Sequence, residues 1–141
     1  MPINFFTEEF SFTLQEKRKR KIWLKQIAEN ENHKISELNY VFCSDEYLLS
    51  INVEYLDHDA YTDIITFDNS EQKGIIEGDI FISIERVKDN SNTLKVDEEK
   101  ELSRVISHGL FHLLGYKDKS KTEAKLMRNK EENAITLFEN I

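Results

Sequence analysis

Two histidines four residues apart, His108 and His112, lie inside an apolar segment of the chain. On an α-helix this spacing puts both side chains on one face, one turn apart, so both rings can bind one metal ion. Gly115 follows, and glycine allows a sharp turn that residues with a Cβ atom resist. Asp118 can then return toward the same ion as a third ligand. Three protein ligands leave a fourth position for water, whose pKa a bound metal lowers toward neutrality.

The two histidines alone leave another interpretation open, because an apolar helix face can also hold histidines as core or capping residues. Gly115 and Asp118 at these offsets favour the metal site. Asp57 and His58 are alternative ligands from elsewhere in the chain. Asp118 is alternatively a partner that orients one of the histidines without touching the ion.

The residue after the first histidine bears on the reaction. The spacing of the two histidines, the glycine and the aspartate is close to that of metzincin proteases. Those enzymes carry a glutamate directly after the first histidine as the general base of peptide hydrolysis. Gly109 occupies that position here, and the missing carboxylate argues against a protease.

Length and composition predict one domain over residues 1–141. Of the 141 residues, 39% are hydrophobic and 33% are charged, enough for one core beneath a charged surface. No apolar run reaches the roughly 18 residues that span a bilayer, and the N-terminus lacks the basic start and apolar core of a signal peptide. The single cysteine, Cys43, has no partner for an internal disulfide. We expect a cytoplasmic protein without membrane association.

The basic residues are clustered, although the net charge of −8 disfavours nonspecific binding to nucleic acid. One cluster covers residues 17–21, and its simplest interpretation is a solvated helix face. The second cluster adjoins the suspected metal site and consists of Lys117, Lys119, Lys121, Lys125, Arg128 and Lys130. The sign of the total charge does not decide which ligand a local site prefers.

The hydrophobic pattern predicts the elements that position these residues. We expect strands over residues 3–8, 35–43, 64–67 and 78–84, with a loop over 68–77. We expect helices over about 13–29, from 44 or 45 to about 53, over 85–92, from a cap at Asp97 to Gly115, and over about 122–138. This order predicts one small mixed sheet covered by helices, in an α/β or α+β arrangement.

Two of these helices have apolar faces that identify the expected core. The face of the first helix is expected to contain Leu14, Ile22, Leu24, Ile27 and Ala28, with Trp23 at its border. The inward side of the last helix is expected to contain Leu126, Met127, Ala134, Ile135, Leu137 and Phe138.

Three segments together are similar to a known family. HGLFHLLGYKD resembles the H-G-x-L-H-L-x-G-Y-D-H motif of the YbeY family, the metal-dependent bacterial endoribonucleases of ribosomal RNA maturation. Residues 51–67, INVEYLDHDAYTDIITF, resemble the family's L-N-x2-Y-R-x2-D-x-P-T-D-V-L-S-F segment, and GDIFIS at 78–83 resembles its G-D-I-x-I-S strand. Further matches, at acidic and methionine positions of the family's last helix, are Glu123, Met127 and Glu131.

This resemblance implies an α+β fold with a small mixed four-stranded sheet packed against helices, and a metal site on a central helix and the turn after it. It implies one Zn²⁺ ion held by His108, His112 and Asp118. It also implies that metal-activated water cleaves phosphodiester bonds in single-stranded RNA. The expected partners are ribosomal RNA and the ribosome or its proteins.

Three positions depart from the family pattern, and one of them, Tyr61 in place of the proline that often precedes the threonine, is expected to alter only the local turn. Asp118 stands where the family usually has a histidine, and an anionic ligand acidifies bound water less and widens tolerance toward harder ions. Leu56 replaces an arginine that the family is thought to use for the substrate phosphate. Another cation must take that role, and the candidates are Lys117, Lys119 and Arg128.

The sequence identifies no general base. Asp63 is a candidate for lining the cleft, with a structural role at the entry of a strand as the alternative. Two other functions compete with the endoribonuclease. One is a different zinc hydrolase, protease-like or acting on small phosphate esters, against which Gly109 argues. The other is a non-catalytic ribosome-associated factor with a structural metal, which the loss of the arginine at Leu56 favours.

Overall fold

A computed structural model describes residues 2–9, 11–56 and 61–141 of the chain. The strands are β1 (Ile3–Glu8), β2 (Lys34–Cys43), β3 (Ile64–Asp68) and β4 (Ile75–Ser83). The helices are α1 (Lys17–Asn30), α2 (Asp45–Leu56), α3 (Ile84–Leu94), α4 (Glu98–Leu113) and α5 (Lys121–Glu139). No helix in these ranges is long and apolar enough to cross a bilayer.

The strands form one mixed sheet in the order β1-β2-β4-β3. β1 and β4 both pair with β2 in parallel, and β3 pairs with β4 antiparallel. Because alternate residues of a strand face opposite sides of a sheet, Tyr40 of β2 and its register partner Ile80 of β4 share one side. The expected α+β fold with a small mixed four-stranded sheet is confirmed.

The main core lies between this side of the sheet and helices α1, α4 and α5. Two buried polar groups tie the layers together inside it. Tyr40 donates its hydroxyl proton to the carbonyl of Ile106 in α4 at 2.7 Å, and Trp23 of α1 donates its indole N–H to the carbonyl of Ala134 in α5 at 2.8 Å. Such hydrogen bonds allow large aromatic side chains to be buried without orphaned polar atoms. Helix α2 covers part of the other side of the sheet through a small cluster around Leu48.

Glycines set how closely α4 approaches the sheet. A Cβ atom on Gly109 would lie 2.9 Å from Cγ2 of Ile80 and 3.0 Å from Cδ1 of Ile64. One on Gly78 of β4 would lie 2.7 Å from the carbonyl oxygen of Phe67 and 2.9 Å from a methyl carbon of Leu113. A larger residue at either position requires the neighbouring atoms to shift. The position after the first histidine is therefore a packing position of α4.

Several local expectations were wrong. α1 begins at Lys17, later than expected, and β4 begins at Ile75, inside the expected loop. Ile22 and Leu126 are 42% and 47% exposed, whereas Trp23 is fully buried. The α1 face turns toward α5, and this rotation moves Trp23 from the border to the centre of the interface.

The first basic cluster is also not a uniformly solvated face. Arg20 is fully buried. It donates hydrogen bonds to the carbonyl of Gln15 at 3.0 Å, to Oγ of Ser103 at 3.2 Å and to a carboxylate oxygen of Glu99 at 2.8 Å. Burial of an unpaired guanidinium is costly, and the two partners on α4, Ser103 and Glu99, make Arg20 a contact between α1 and α4.

Candidate metal centre

The three predicted ligands come together at the C-terminal end of α4. The Nε2 atoms of His108 and His112 are 2.9 Å apart. Oδ2 of Asp118 lies 3.3 Å from the first and 3.4 Å from the second. Ligand atoms of these residues all lie within 4.8 Å of one another, and this is the one such group of three or more among the described histidines, cysteines and carboxylates.

The local sequence explains this convergence. Residues four apart on a helix stack on one face, and the two histidine rings lie with centroids 4.5 Å apart and planes at 82°. Gly115 then adopts a φ of +103°, in the left-handed region where glycine is favoured. The N–H of Gly115 donates to the carbonyl of His112 at 3.0 Å, and that of Tyr116 donates to the carbonyl of Phe111 at 3.0 Å. These bonds end the helix, and the chain then turns back so that Asp118 lies beside the two histidines.

Hydrogen bonds on the far side of each ring fix the histidine tautomers. Nδ1 of His112 donates to the carbonyl of Tyr116 at 3.0 Å, and Nδ1 of His108 donates to Oε2 of Glu131 at 2.5 Å. With the proton on Nδ1, each Nε2 carries a lone pair that points into the shared space. Two lone pairs and a carboxylate oxygen facing one point repel each other unless a cation lies between them. The donor set therefore fits a metal ion.

Glu131 is itself part of a buried charge network. Arg104 donates to Oε1 of Glu131 at 3.3 Å, to Glu101 at 3.1 Å and to Glu132 at 3.1 Å. Burial raises the pKa of Glu101 above its ordinary value, although Arg104 opposes this. Burial acts to lower the pKa of Arg104, but the surrounding carboxylates outweigh it and raise that pKa. A permanent cation thus keeps Glu131 aligned with His108.

The sequence analysis did not identify this network. Glu131 was identified only as a match to an acidic position of the family's last helix, and Arg104 was not identified. The available signal was a row of charged or histidine residues on the buried side of α4, Glu101, Arg104 and His108, recurring at helical spacing. Charged residues on a core-facing stripe are rarely buried unless they are paired.

Charge also affects protonation of the first histidine. Burial lowers the pKa of His108, but the hydrogen bond and charge of Glu131, with the charges of Asp118 and Asp63, outweigh it and raise the pKa above its ordinary value. The surroundings therefore favour a positive charge at this ring. A proton and a metal ion compete for the same Nε2 lone pair.

A cavity of about 290 Å³ opens beside the centre. Its lining residues are Asp63, Leu94, Glu101, Arg104, Val105, His108, Asp118, Arg128 and Glu131. Two residues predicted for the site, Asp63 and Arg128, thus share a cavity with two predicted metal ligands. Lys117 and Lys119 are exposed beside Asp118 and are not among the lining residues.

Asp63 also has the structural contacts expected at the entry of a strand. Its carbonyl accepts from the backbone N–H of Ser83 at 3.0 Å, and Oδ2 accepts from the side-chain amide of Asn90 at 3.3 Å. One carboxylate oxygen is therefore engaged by Asn90, and the structural and cleft-lining roles coexist.

Other candidates lie outside the centre. Leu56 ends α2 and is 39% exposed, and Asp57 and His58 lie outside the described residues. Tyr116, just after the end of α4, packs edge-on against Phe111, and its hydroxyl donates to Glu31 at 2.8 Å. Lys130 of the second basic cluster also donates to this glutamate, at 2.8 Å.

Comparison with known proteins adds independent findings. The protein-family model described as Endoribonuclease YbeY matches residues 3–139. A relative from Cytophaga hutchinsonii named endoribonuclease YbeY is 56% identical over 135 residues, which cover 96% of this chain and 94% of the relative. One of the same name from Christiangramia forsetii is 47% identical over 136 residues, covering 96% and 94%.

A solved structure supports the fold. The solution structure of a Thermotoga maritima protein matches with a TM-score of 0.68 and 24% sequence identity. The match covers 96% of this chain and 88% of that protein. At this identity the likeness shows a shared fold alone.

Proposed function

Because the chain belongs to the endoribonuclease YbeY family, we propose that it cleaves single-stranded ribosomal RNA at the centre formed by His108, His112 and Asp118. The family membership confirms the resemblance seen in the motifs and the prediction of an RNA-cleaving hydrolase. The role of these three residues, the ribosomal substrate, action at the ribosome in the cytoplasm and a single domain over residues 1–141 belong to the proposal.

The observation that carries the proposal is the convergence of the Nε2 atoms of His108 and His112 and one carboxylate oxygen of Asp118 beside an open cavity. Two imidazoles and a carboxylate suit Zn²⁺, which is bound in catalytic sites by three protein ligands with one position left open. When bound there, the ion supplies Lewis-acid activation of the attacking water and compensates negative charge on the phosphate. The anionic Asp118 also makes Mn²⁺ a reasonable substitute in experiments.

Arg128 is the residue that we assign to the substrate phosphate. Among the described residues that line the cavity, the cations are Arg104 and Arg128. Arg104 is held by three carboxylates, whereas no ion pair of Arg128 is present within the described ranges. An arginine fork matches phosphate geometry, so Arg128 takes the role that Leu56 cannot perform.

Asp63 is the residue that we assign as proton acceptor. A new bond forms between the water oxygen and phosphorus, and the P–O bond to the leaving ribose oxygen breaks. The proton of the water passes to the Asp63 carboxylate, and the leaving oxygen takes a proton from solvent. The hydrogen bond from His108 to Glu131 holds the ring with its Nε2 turned toward the space in which a metal ion would be held.

Cleavage of a labelled single-stranded ribosomal RNA fragment by the zinc-loaded protein tests this function. His112→Ala and Asp118→Ala are expected to lose cleavage, whereas Asp89→Ala, at an exposed position of α3, keeps it. Asp118→His, which restores the usual family ligand, is expected to cleave as well. Equal cleavage by wild type, His112→Ala and Asp118→Ala would show that this centre does not cut RNA.

The alternative is a non-catalytic ribosome-associated factor with a structural metal, and Leu56 in place of the family arginine favours it. A structural zinc site has four protein ligands and no open position. The same preparations separate the two functions. The structural metal would be supported if wild type bound zinc, both alanine variants lost the zinc, and none of the three cleaved RNA.

A further inference from the structure

A second cavity, of about 530 Å³, lies between α1 and the start of β1 and β2. Its lining residues are Pro2, Ile3, Lys21, Lys25, Glu29, His33, Lys34 and Ile35, and we call it the basic cavity. It shares no residue with the cavity beside the metal centre. We propose that the basic cavity binds a nucleotide of the single-stranded RNA away from the cut, an inference that rests on the proposed nuclease function.

The lysines of the basic cavity converge from two elements. Lys21 and Lys25 are four residues apart on α1 and so share a face, and Lys34 begins β2 opposite them. Glu29 is the acidic member of the lining, and it lies 4.0 Å from Lys25 in an exposed pair. Within the described residues, neither Lys21 nor Lys34 has a carboxylate at ion-pair distance. Three cations therefore face one carboxylate, in a chain whose net charge is −8.

Two other residues of the basic run are engaged elsewhere. The ammonium group of Lys19 lies 4.2 Å from the ring centroid of Phe138, and Arg20 is buried against α4. These two residues hold helices together. Lys21 instead has its ammonium group 6.0 Å from the ring of Phe5, the outer limit of a cation–π contact, and remains able to bind a ligand.

The floor of the basic cavity suits the uncharged part of a nucleotide. Pro2, Ile3 and Ile35 supply apolar surface, and the two isoleucines are buried. Its volume lies in the range of roughly 300–1,000 Å³ that small ligands occupy. A base and ribose can contact this floor while the flanking phosphates reach the lysines, the combination by which proteins bind single strands.

His33 connects the basic cavity to the metal centre. Its Nδ1 donates to the carbonyl of Glu31 at 2.7 Å. The carboxylate of Glu31 accepts from the Tyr116 hydroxyl, and the carbonyl of Tyr116 accepts from His112. A continuous series of hydrogen-bonded residues thus fixes the α1–β2 turn relative to a predicted metal ligand. RNA bound in the basic cavity is then held in a constant register with the centre.

The test replaces Lys21, Lys25 and Lys34 together by glutamine. The matched control replaces Lys88, Lys95 and Lys100 by glutamine, three exposed lysines of α3, its C-cap and α4. RNA binding is measured by fluorescence anisotropy with zinc-loaded protein across a salt series, before cleavage proceeds. Loss of three phosphate contacts lowers the magnitude of the slope of log affinity against log salt by roughly 2, and the control leaves that slope unchanged.

Cleavage kinetics supply the second readout. For a long RNA, the Lys21, Lys25 and Lys34 variant is expected to raise KM by about tenfold with kcat unchanged, the signature of lost ground-state binding. For an RNA too short to extend beyond the metal centre, KM stays at the wild-type value. The single variant Lys25→Glu, at a side chain 72% exposed, repeats the test if the triple variant folds poorly.

The outcomes separate the two proposals. If the salt slope and KM of the triple variant equal those of wild type, or if the control variant changes equally, the proposal of RNA binding in the basic cavity is overturned. The proposed nuclease function is unaffected by that result. Failure of wild type to cleave overturns the nuclease, and the salt slope alone then decides whether the basic cavity binds RNA.

Discussion

At the scale of single residues, Glu131 joins the charges of α4 and α5 to the candidate metal centre. One of its oxygens accepts from His108 and the other from Arg104. Glu131 is buried, so its charge is little screened by solvent. It both selects the tautomer of His108 and increases the basicity of Nε2.

Replacing Glu131 by glutamine is expected to weaken Zn²⁺ binding by roughly 10–100-fold, because a neutral amide polarises the imidazole less. Competition with a chromophoric chelator measures this affinity. Glu132→Gln is the control, since Glu132 also contacts Arg104 but its side chain is 49% exposed. Equal zinc affinity in both variants would show that Glu131 does not strengthen metal binding through His108 and serves only in packing.

Glu31 gives a prediction for pH. Burial raises its pKa, but hydrogen bonds from Lys130 and Tyr116 outweigh this and hold the pKa below its ordinary value. A lowered folded-state pKa stabilises the protein above the unfolded-state pKa, and the contribution is lost as pH falls through the folded-state pKa. Glu31→Gln is therefore expected to unfold at lower urea than wild type at neutral pH, and at equal urea in strong acid. A difference that persists after the carboxyl is protonated would contradict this charge-based account.

At the scale of elements, what the sequence predicted correctly depended on local signals. Asp97 accepts from the N–H of Lys100, and Gly115 follows the end of α4 with a positive φ, as expected. The end of α4 and the histidine spacing placed the candidate site. The start of β4 at Ile75 depends on pairing with Lys34, which is far away in sequence. A local sequence pattern therefore could not predict where β4 begins. The burial of Arg20 likewise depends on Glu99 and Ser103 of another helix.

The contact of α4 with the sheet can be tested at Gly109. Alanine there brings a methyl group within 3.0 Å of side-chain atoms of Ile80 and Ile64. Overpacking of this kind costs about 1–3 kcal/mol, against a gain of about 1 kcal/mol in helix propensity. We expect a net loss of up to about 2 kcal/mol in the free energy of unfolding, measured with urea. Lys100→Ala, on the exposed side of α4, should change it by less than about 0.5 kcal/mol, and an equally stable Gly109→Ala would show that α4 is not held this closely.

At the scale of the whole molecule, buried polar contacts connect the helices that carry the site. α1 meets α4 through Arg20, α1 meets α5 through Trp23, and α4 meets α5 through Arg104. Each contact has partners far apart in sequence, which is why the motifs indicated the candidate ligands but not the residues that support them. The candidate centre lies at the end of α4, so metal binding there would be coupled to the stability of the whole fold.

Zinc is therefore expected to stabilise the entire fold. A ligand at about 100 times its Kd adds about 2.7 kcal/mol, which for a chain of this size raises Tm by roughly 5–10 °C. Thermal unfolding with zinc and with a chelator measures the shift. His112→Ala and Asp118→Ala should lose it, and Asp118→His should keep it, because the histidine replaces one donor by another. If the shift survived in both alanine variants, zinc would be binding elsewhere, and the convergence of His108, His112 and Asp118 would reflect packing of α4 and the following turn.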